Sequence, residues 1–91
     1  MKYKLLMHKD ASKFYDKCTQ NQKDIFDEKI ALLKESPLKH EQLDIKKLGG
    51  YKELYRLKVG GYRLIYAVRN NELLIFMLLI GNRGDVYKKL N

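Results

Sequence analysis

The feature that most constrains this chain is the pair Gly60-Gly61, set between two runs of alternating apolar and polar residues. Two glycines between Val59 and Tyr62 suit a two-residue hairpin, because the primed turns need positive φ, which glycine adopts without steric cost. A two-residue loop settles the register by counting: Val59 faces Tyr62, Lys58 faces Arg63, and Leu57 faces Leu64. Side chains alternate along a strand, so Tyr55, Leu57, Val59, Tyr62, Leu64 and Tyr66 share one face, while Arg56, Lys58 and Arg63 share the other. One face is a core and the other a cationic cluster.

That cluster breaks a local rule. Like charges directly opposed in an antiparallel pair destabilise it, by an amount comparable to the roughly 0.2–1 kcal/mol that good pairs contribute. A rule broken without local compensation marks either a functional site, here one for a bound polyanion, or a solvated face that protects an edge. Composition allows the first reading. Nineteen Lys and Arg against eleven Asp and Glu give a net charge of +8, which favours nucleic acid, anionic lipid or an acidic protein. One cysteine, Cys18, rules out an internal disulfide framework, and with only His8 and His40 beside it the chain lacks a zinc ligand set. A reducing cytoplasm fits, with no run long enough for a signal peptide or membrane span. No cofactor is implied.

In chain order, residues 3–7 form a short strand candidate, and Asp10 is an N-cap for a helix over residues 11 to about 19 that Phe14 anchors in the core. Asn21 can cap a second helix, whose apolar stripe is Ile25, Phe26, Ile30, Leu32 and Leu33, and Ser36-Pro37 ends it. Residues 38–50 read as an ordered polar loop carrying Lys46 and Lys47. Asn70-Asn71 offers a second two-residue turn. Residues 73–80 then form a central strand with Leu78 opposite Arg63 and Leu79 opposite Tyr62, so that Phe76, Leu78 and Ile80 make a dry floor beside the cations. Arg83 leaves this strand between Gly81 and Gly84, and a last short turn holds Val86, Tyr87 and Leu90. The expected architecture is α+β, a single domain over residues 1–91: two antiparallel N-terminal helices on a small, mainly antiparallel four-stranded sheet, in the order β-α-α-β-β-β with a short C-terminal helical turn.

These parts resemble the RelE/ParE superfamily of bacterial and archaeal toxins, on its RelE side, over nearly the whole chain. The resemblance is carried by Lys47-Leu48-Gly49-Gly50, by the run from Leu54 to Tyr66, and by Ile80-Gly81-Asn82-Arg83 with Val86-Tyr87. The pattern Tyr-basic-x-basic followed by Gly-Tyr-Arg-Leu-x-Tyr is its most specific piece. The resemblance implies the toxin of a type II toxin–antitoxin system, an endoribonuclease that cleaves messenger RNA in the ribosomal decoding site and is held inactive by a cognate antitoxin. Carried over by position, its site residues fall on Arg56, Lys58, Arg63, Arg83 and Tyr87. The C-terminal helix of the family looks nearly absent.

Metal-independent RNA cleavage uses the 2′-hydroxyl as nucleophile. The expected face has neither histidine nor carboxylate, which leaves Lys58 as the general base, since flanking Arg56 and Arg63 disfavour its charged form. Guanidinium stays protonated and matches phosphate oxygens, so Arg56, Arg63 and Arg83 suit charge stabilisation, with Arg83 nearest the leaving group. Tyr87 stacks on a base or orients the nucleophile; its plainer role is to cover the open end of the core. Arg83 has a plainer role too, pairing with Asp85. Lys46, Lys47, Lys88 and Lys89 are RNA-binding candidates, the last two within a diffuse steering field shared with Lys2 and Lys4. His8 and His40 belong at the surface, and Cys18 is a small buried side chain. Two other functions remain open: a non-enzymatic poison of DNA gyrase, as ParE-type members are, and an inert RNA-binding relative.

Overall fold

The first elements form where their end groups are satisfied locally. In the computed structural model, which describes residues 2–50 and 53–90, strand β1 (Lys4–Met7) leads into helix α1 (Lys9–Asp16). His8, not Asp10, is the N-cap, its Nδ1 accepting from the Asp10 backbone N–H at 3.4 Å. Asp10 sits in the first turn, where its charge meets the positive end of the helix dipole. Helix α2 (Gln20–Glu35) starts at a capping box: the Gln22 N–H donates to Thr19 Oγ1 at 3.2 Å, and the Thr19 N–H donates to Gln22 Oε1 at 3.1 Å. Asn21, the expected cap, is therefore inside the helix. Ser36, with φ −156°, ends it before Pro37.

The sheet has five strands, not four. Its order is β1-β5-β4-β3-β2, with β2 (Asp44–Lys47), β3 (Leu54–Val59), β4 (Tyr62–Arg69) and β5 (Leu74–Asn82) paired antiparallel and β1 parallel to β5. The added strand, β2, lies in the segment expected to be a loop. Only Ile45 of its four residues packs on the core, so β2 is held by its ladder to β3 and not by its own pattern. The α+β class and the two N-terminal helices stand.

The β3–β4 register is the one counted from Gly60-Gly61, with Lys58 opposite Arg63. Gly60 has φ +58°, as the first central residue of a II′ turn requires. The next connection differs. Asn70–Glu72 form a 3₁₀ turn that closes on Leu73 in the left-handed region (φ 49°), and a bulge interrupts the β4–β5 ladder between Ile65 and Tyr66. Arg63 is consequently opposite Gly81, not Leu78, and Tyr62 is opposite Asn82, not Leu79. The shift carries Ile80 to the helix-covered face and brings Leu79 to the cationic one, while Phe76, paired with Ala67, and Leu78, packed on Ile65 and Val86, stay on the side expected.

Two apolar clusters result, one on each side of the sheet. The larger joins Phe26, Ile30 and Leu33 of α2 and Ala11 of α1 to Leu57, Leu64, Tyr66, Ile75, Met77 and Ile80. The Tyr66 hydroxyl, fully buried, donates to the Pro37 carbonyl at 2.7 Å. On the opposite side, Ile65, Leu79 and Val86 are buried together with Leu48, Leu78, Tyr87 and Leu90 against them. Val86 belongs to α3 (Arg83–Leu90), an eight-residue helix where a short turn was expected. Gly81 permits its approach: a Cβ there would stand 3.0 Å from Val86 Cγ2. Strand β5 is thus covered on both sides, which accounts for its apolar character on both faces. Among the described residues no helix is long and apolar enough to cross a membrane.

Candidate nucleic-acid interface

Strand pairing arranges the charged side chains in two rows across the face opposite α1 and α2. One row runs Asp44, Lys58, Arg63, Gly81; the next runs Lys46, Arg56, Ile65, Leu79. Arg56, Lys58 and Arg63 share this face as expected, and β2 adds Lys46 beside them. Lys47 does not join them: it is opposite Tyr55, on the other face.

Asp44 corrects the expectation of a face without a carboxylate. It stands directly opposite Lys58, and its Oδ1 accepts from Arg56 Nη2 at 2.7 Å. The Arg56 side chain is only 15% exposed, and its Nε is buried with no hydrogen-bond partner. Asp44 therefore holds one edge of the guanidinium in place against the sheet. The alternation Asp44-Ile45-Lys46, with one apolar residue between two charged ones, was the available sign of a half-buried strand.

Arg63 is the other anchored cation. It is 6% exposed, and its Nη1 donates to the carbonyls of Gly60 at 3.0 Å and Tyr62 at 2.9 Å. By reaching back to the hairpin turn it directs part of its charge away from Lys58. The opposed pair Lys58–Arg63 thus has compensation on both sides: Asp44 beyond the lysine and turn carbonyls around the arginine. Lys58 itself is exposed.

Arg83 is the exposed first residue of α3, and its backbone N–H donates to the Gly61 carbonyl at 3.2 Å, which places it at the hairpin tip. Among the described residues the ion pair between a lysine or arginine and a carboxylate is Arg56–Asp44, so Arg83 is not paired with Asp85. Tyr87 is half-buried on the Ile65, Leu79 and Val86 cluster and covers that apolar patch. Lys88 and Lys89 are exposed and lie with Phe14 along the side of β5. His40, expected at the surface, is half-buried and contacts Glu35 at 3.3 Å. Cys18 is also half-buried; its thiol donates to the Phe14 carbonyl at 3.3 Å, and burial raises its pKa.

A mixed five-stranded sheet, with two N-terminal helices on one face and cations beside a C-terminal helix on the other, is a RelE-type fold. The structure superposes on RelE in the archaeal RelE–RelB complex from Pyrococcus horikoshii OT3 with a TM-score of 0.79 and 31% identity, covering 92% of this chain and 98% of that one. It also superposes on the isolated E. coli RelE toxin with a TM-score of 0.73 and 28% identity, covering 97% and 94% of the two chains. In sequence, it is 33% identical over 88 residues to a candidate toxin, RelE1, of Methanocaldococcus jannaschii, covering 97% of this chain and 98% of that protein. Residues 2–87 match the family of the ParE toxin of the type II toxin–antitoxin system parDE. The chain belongs to the RelE/ParE superfamily of type II toxin–antitoxin toxins.

Proposed function

We propose that this toxin is a ribosome-dependent endoribonuclease that cuts messenger RNA in the decoding site. The observation that carries the reading is Lys58: an exposed amine between two arginines whose guanidinium groups are held in place by Asp44 and by the hairpin turn. In its amine form Lys58 takes the proton of the 2′-hydroxyl. The freed oxygen attacks phosphorus, the bond to the 5′-oxygen breaks, and the departing oxygen takes a proton from solvent water, leaving a 2′,3′-cyclic phosphate and a 5′-hydroxyl. Arg56 and Arg63 oppose the charge that builds on the phosphorane, and Arg83 at the hairpin tip assists the departing oxygen. Lys46 holds the backbone on the same face, and Tyr87 provides an aromatic surface beside it. Because Arg56 and Arg63 are anchored before substrate arrives, the remaining requirement is a strand already bent for in-line attack, which a ribosome supplies.

The complexes of relatives with RelB support a cognate antitoxin as the inhibitory partner, and a basic face of this kind suits acidic residues on it. A cytoplasmic location follows from a ribosomal target. The match to the ParE family favours one other reading, a poison of DNA gyrase without catalysis.

Incubating programmed ribosomes with the wild type, Lys58→Ala and Arg83→Ala, and mapping the messenger by primer extension, separates them. Cleavage within the decoding-site codon by the wild type is expected, slowed about 10²–10⁴-fold in Lys58→Ala. A folded wild type that leaves the messenger intact but inhibits supercoiling by gyrase would move the assignment to the second reading.

A further inference from the structure

Strand β5 outruns its neighbour on one side. Its last partner in β1 is Met77, paired with Met7, so residues 78–82 have no strand beyond them on that edge. The Arg83 N–H is directed to the Gly61 carbonyl of the β3–β4 turn. By alternation, the backbone groups of Ile80 and Asn82 are directed the other way, toward the open edge. A trough of about 290 Å³ runs there, close to the roughly 300 Å³ at which small-ligand pockets begin. Phe14 of α1 forms one wall, and Asp85, Lys88 and Lys89 of α3 form the other.

The geometry points to a nucleotide slot in this trough, taking a single-stranded RNA base that carries an amino group. Four observations converge. Phe14 is a half-buried aromatic, positioned by an edge contact with Tyr62 at 6.0 Å between ring centroids, and aromatic side chains are stacking platforms for unpaired bases. The open edge offers backbone donors and acceptors to a base. Lys88 and Lys89 are exposed cations that the larger cationic face does not include, suited to the phosphate attached to that base. Asp85 is exposed and accepts only, so it favours cytosine, which presents an amino donor, over uracil, which presents a carbonyl at the same position. Asn82 lies next to Arg83, so the slot adjoins the cationic face at the hairpin tip. This inference rests on the nuclease reading for the identity of the RNA as messenger, but the slot has its own test.

The probes are fluorescent hexacytidylate and hexauridylate, both 2′-O-methylated so that no nucleophile is present, titrated into the purified chain at several salt concentrations. The slot requires hexacytidylate to bind more tightly than hexauridylate, with the gap closed by Asp85→Asn. Phe14→Leu should weaken hexacytidylate about tenfold without changing the salt dependence. Lys88→Gln combined with Lys89→Gln should instead flatten the salt slope, by about 0.7 for each lysine. In the wild type, hexacytidylate should shift the ring resonances of Phe14, a readout that needs no variant to fold. Unmoved Phe14 resonances, or affinity and salt slope unchanged in the variants, would overturn the slot. So would hexaglutamate binding more tightly and shifting the same resonances, which would give the trough to an acidic polypeptide. The two readings fail separately: a wild type that binds through Phe14 but leaves ribosomal messenger uncut keeps the slot and loses the nuclease, and one that cuts with KM unchanged by Phe14→Leu loses only the slot.

Discussion

The two faces of β3 and β4 are built from alternate residues of the same strands, and they differ in what covers them. Toward α1 and α2, Leu57, Leu64 and Tyr66 are fully buried in a cluster that takes residues from both helices. On the opposite face α3 dries only the β4–β5 half, where Ile65, Leu79 and Val86 meet. The β2–β3 half is left with Lys46, Arg56, Lys58 and Asp44. The boundary runs along β4, where Arg63 and Ile65 share a face and are both buried, one by the hairpin turn and the other by α3. A short helix laid over half a sheet thus sets charged groups beside a dry surface, where they are better anchored than cations in open solvent.

The sharpest challenge to that contrast uses adjacent residues. Leu57→Ala should lower unfolding free energy by about 2–5 kcal/mol, whereas Lys58→Ala should change it by no more than about 0.5 kcal/mol; both follow from urea titration. Comparable losses in the two would mean the charged face also carries the fold. Next in size, Asp44→Ala removes the carboxylate from a mostly buried guanidinium and should cost about 1.5 kcal/mol. Thermodynamic coupling to Arg56→Ala in a double-mutant cycle checks it, and additivity would show that the 2.7 Å contact contributes nothing.

The next loss in size at neutral pH concerns the covered face. Tyr66→Phe leaves the Pro37 carbonyl without its donor and should cost about 1 kcal/mol. Burial also raises the Tyr66 pKa above the usual 10. A raised tyrosine pKa favours the neutral hydroxyl in the folded state, so its stabilisation is complete below pH 10 and is lost as pH rises above it, by about 1.4 kcal/mol per pH unit. Tyr15, held up to about 12 first by its hydrogen bond to Asp27, acts in the same direction. The test is therefore the difference between wild type and Tyr66→Phe in denaturation midpoints above pH 10, where the variant should fall less steeply.

Legibility followed the range of the interactions. Gly60-Gly61 and strict alternation sufficed for the hairpin register and for the shared face of Arg56, Lys58 and Arg63, because both depend on residues close in sequence. The capping positions were each misplaced by two residues, since Thr19 and His8 compete with Asn21 and Asp10 for the same backbone donors. Asn70-Asn71 looked like a tight turn, yet the chain passes through a 3₁₀ turn and Leu73 at positive φ, and with the bulge this displaced the β5 register. From Arg83 onward, eight residues with Gly84 in their first turn gave no strong helical pattern, and α3 is held by packing on Ile65 and Leu79.

By itself the sequence determined a basic α+β chain, a hairpin of known register, and three cations on one face of it. Those properties are set by turn conformation and side-chain alternation, which act within a few residues. Only the tertiary structure decided that β2 closes the sheet and brings Asp44 to Arg56, that α3 dries half of the charged face, and that β5 is left with an open edge. Each depends on a contact between separate elements, whose own residues are too few or too polar to announce it, and whose partners are chosen only when the whole sheet forms.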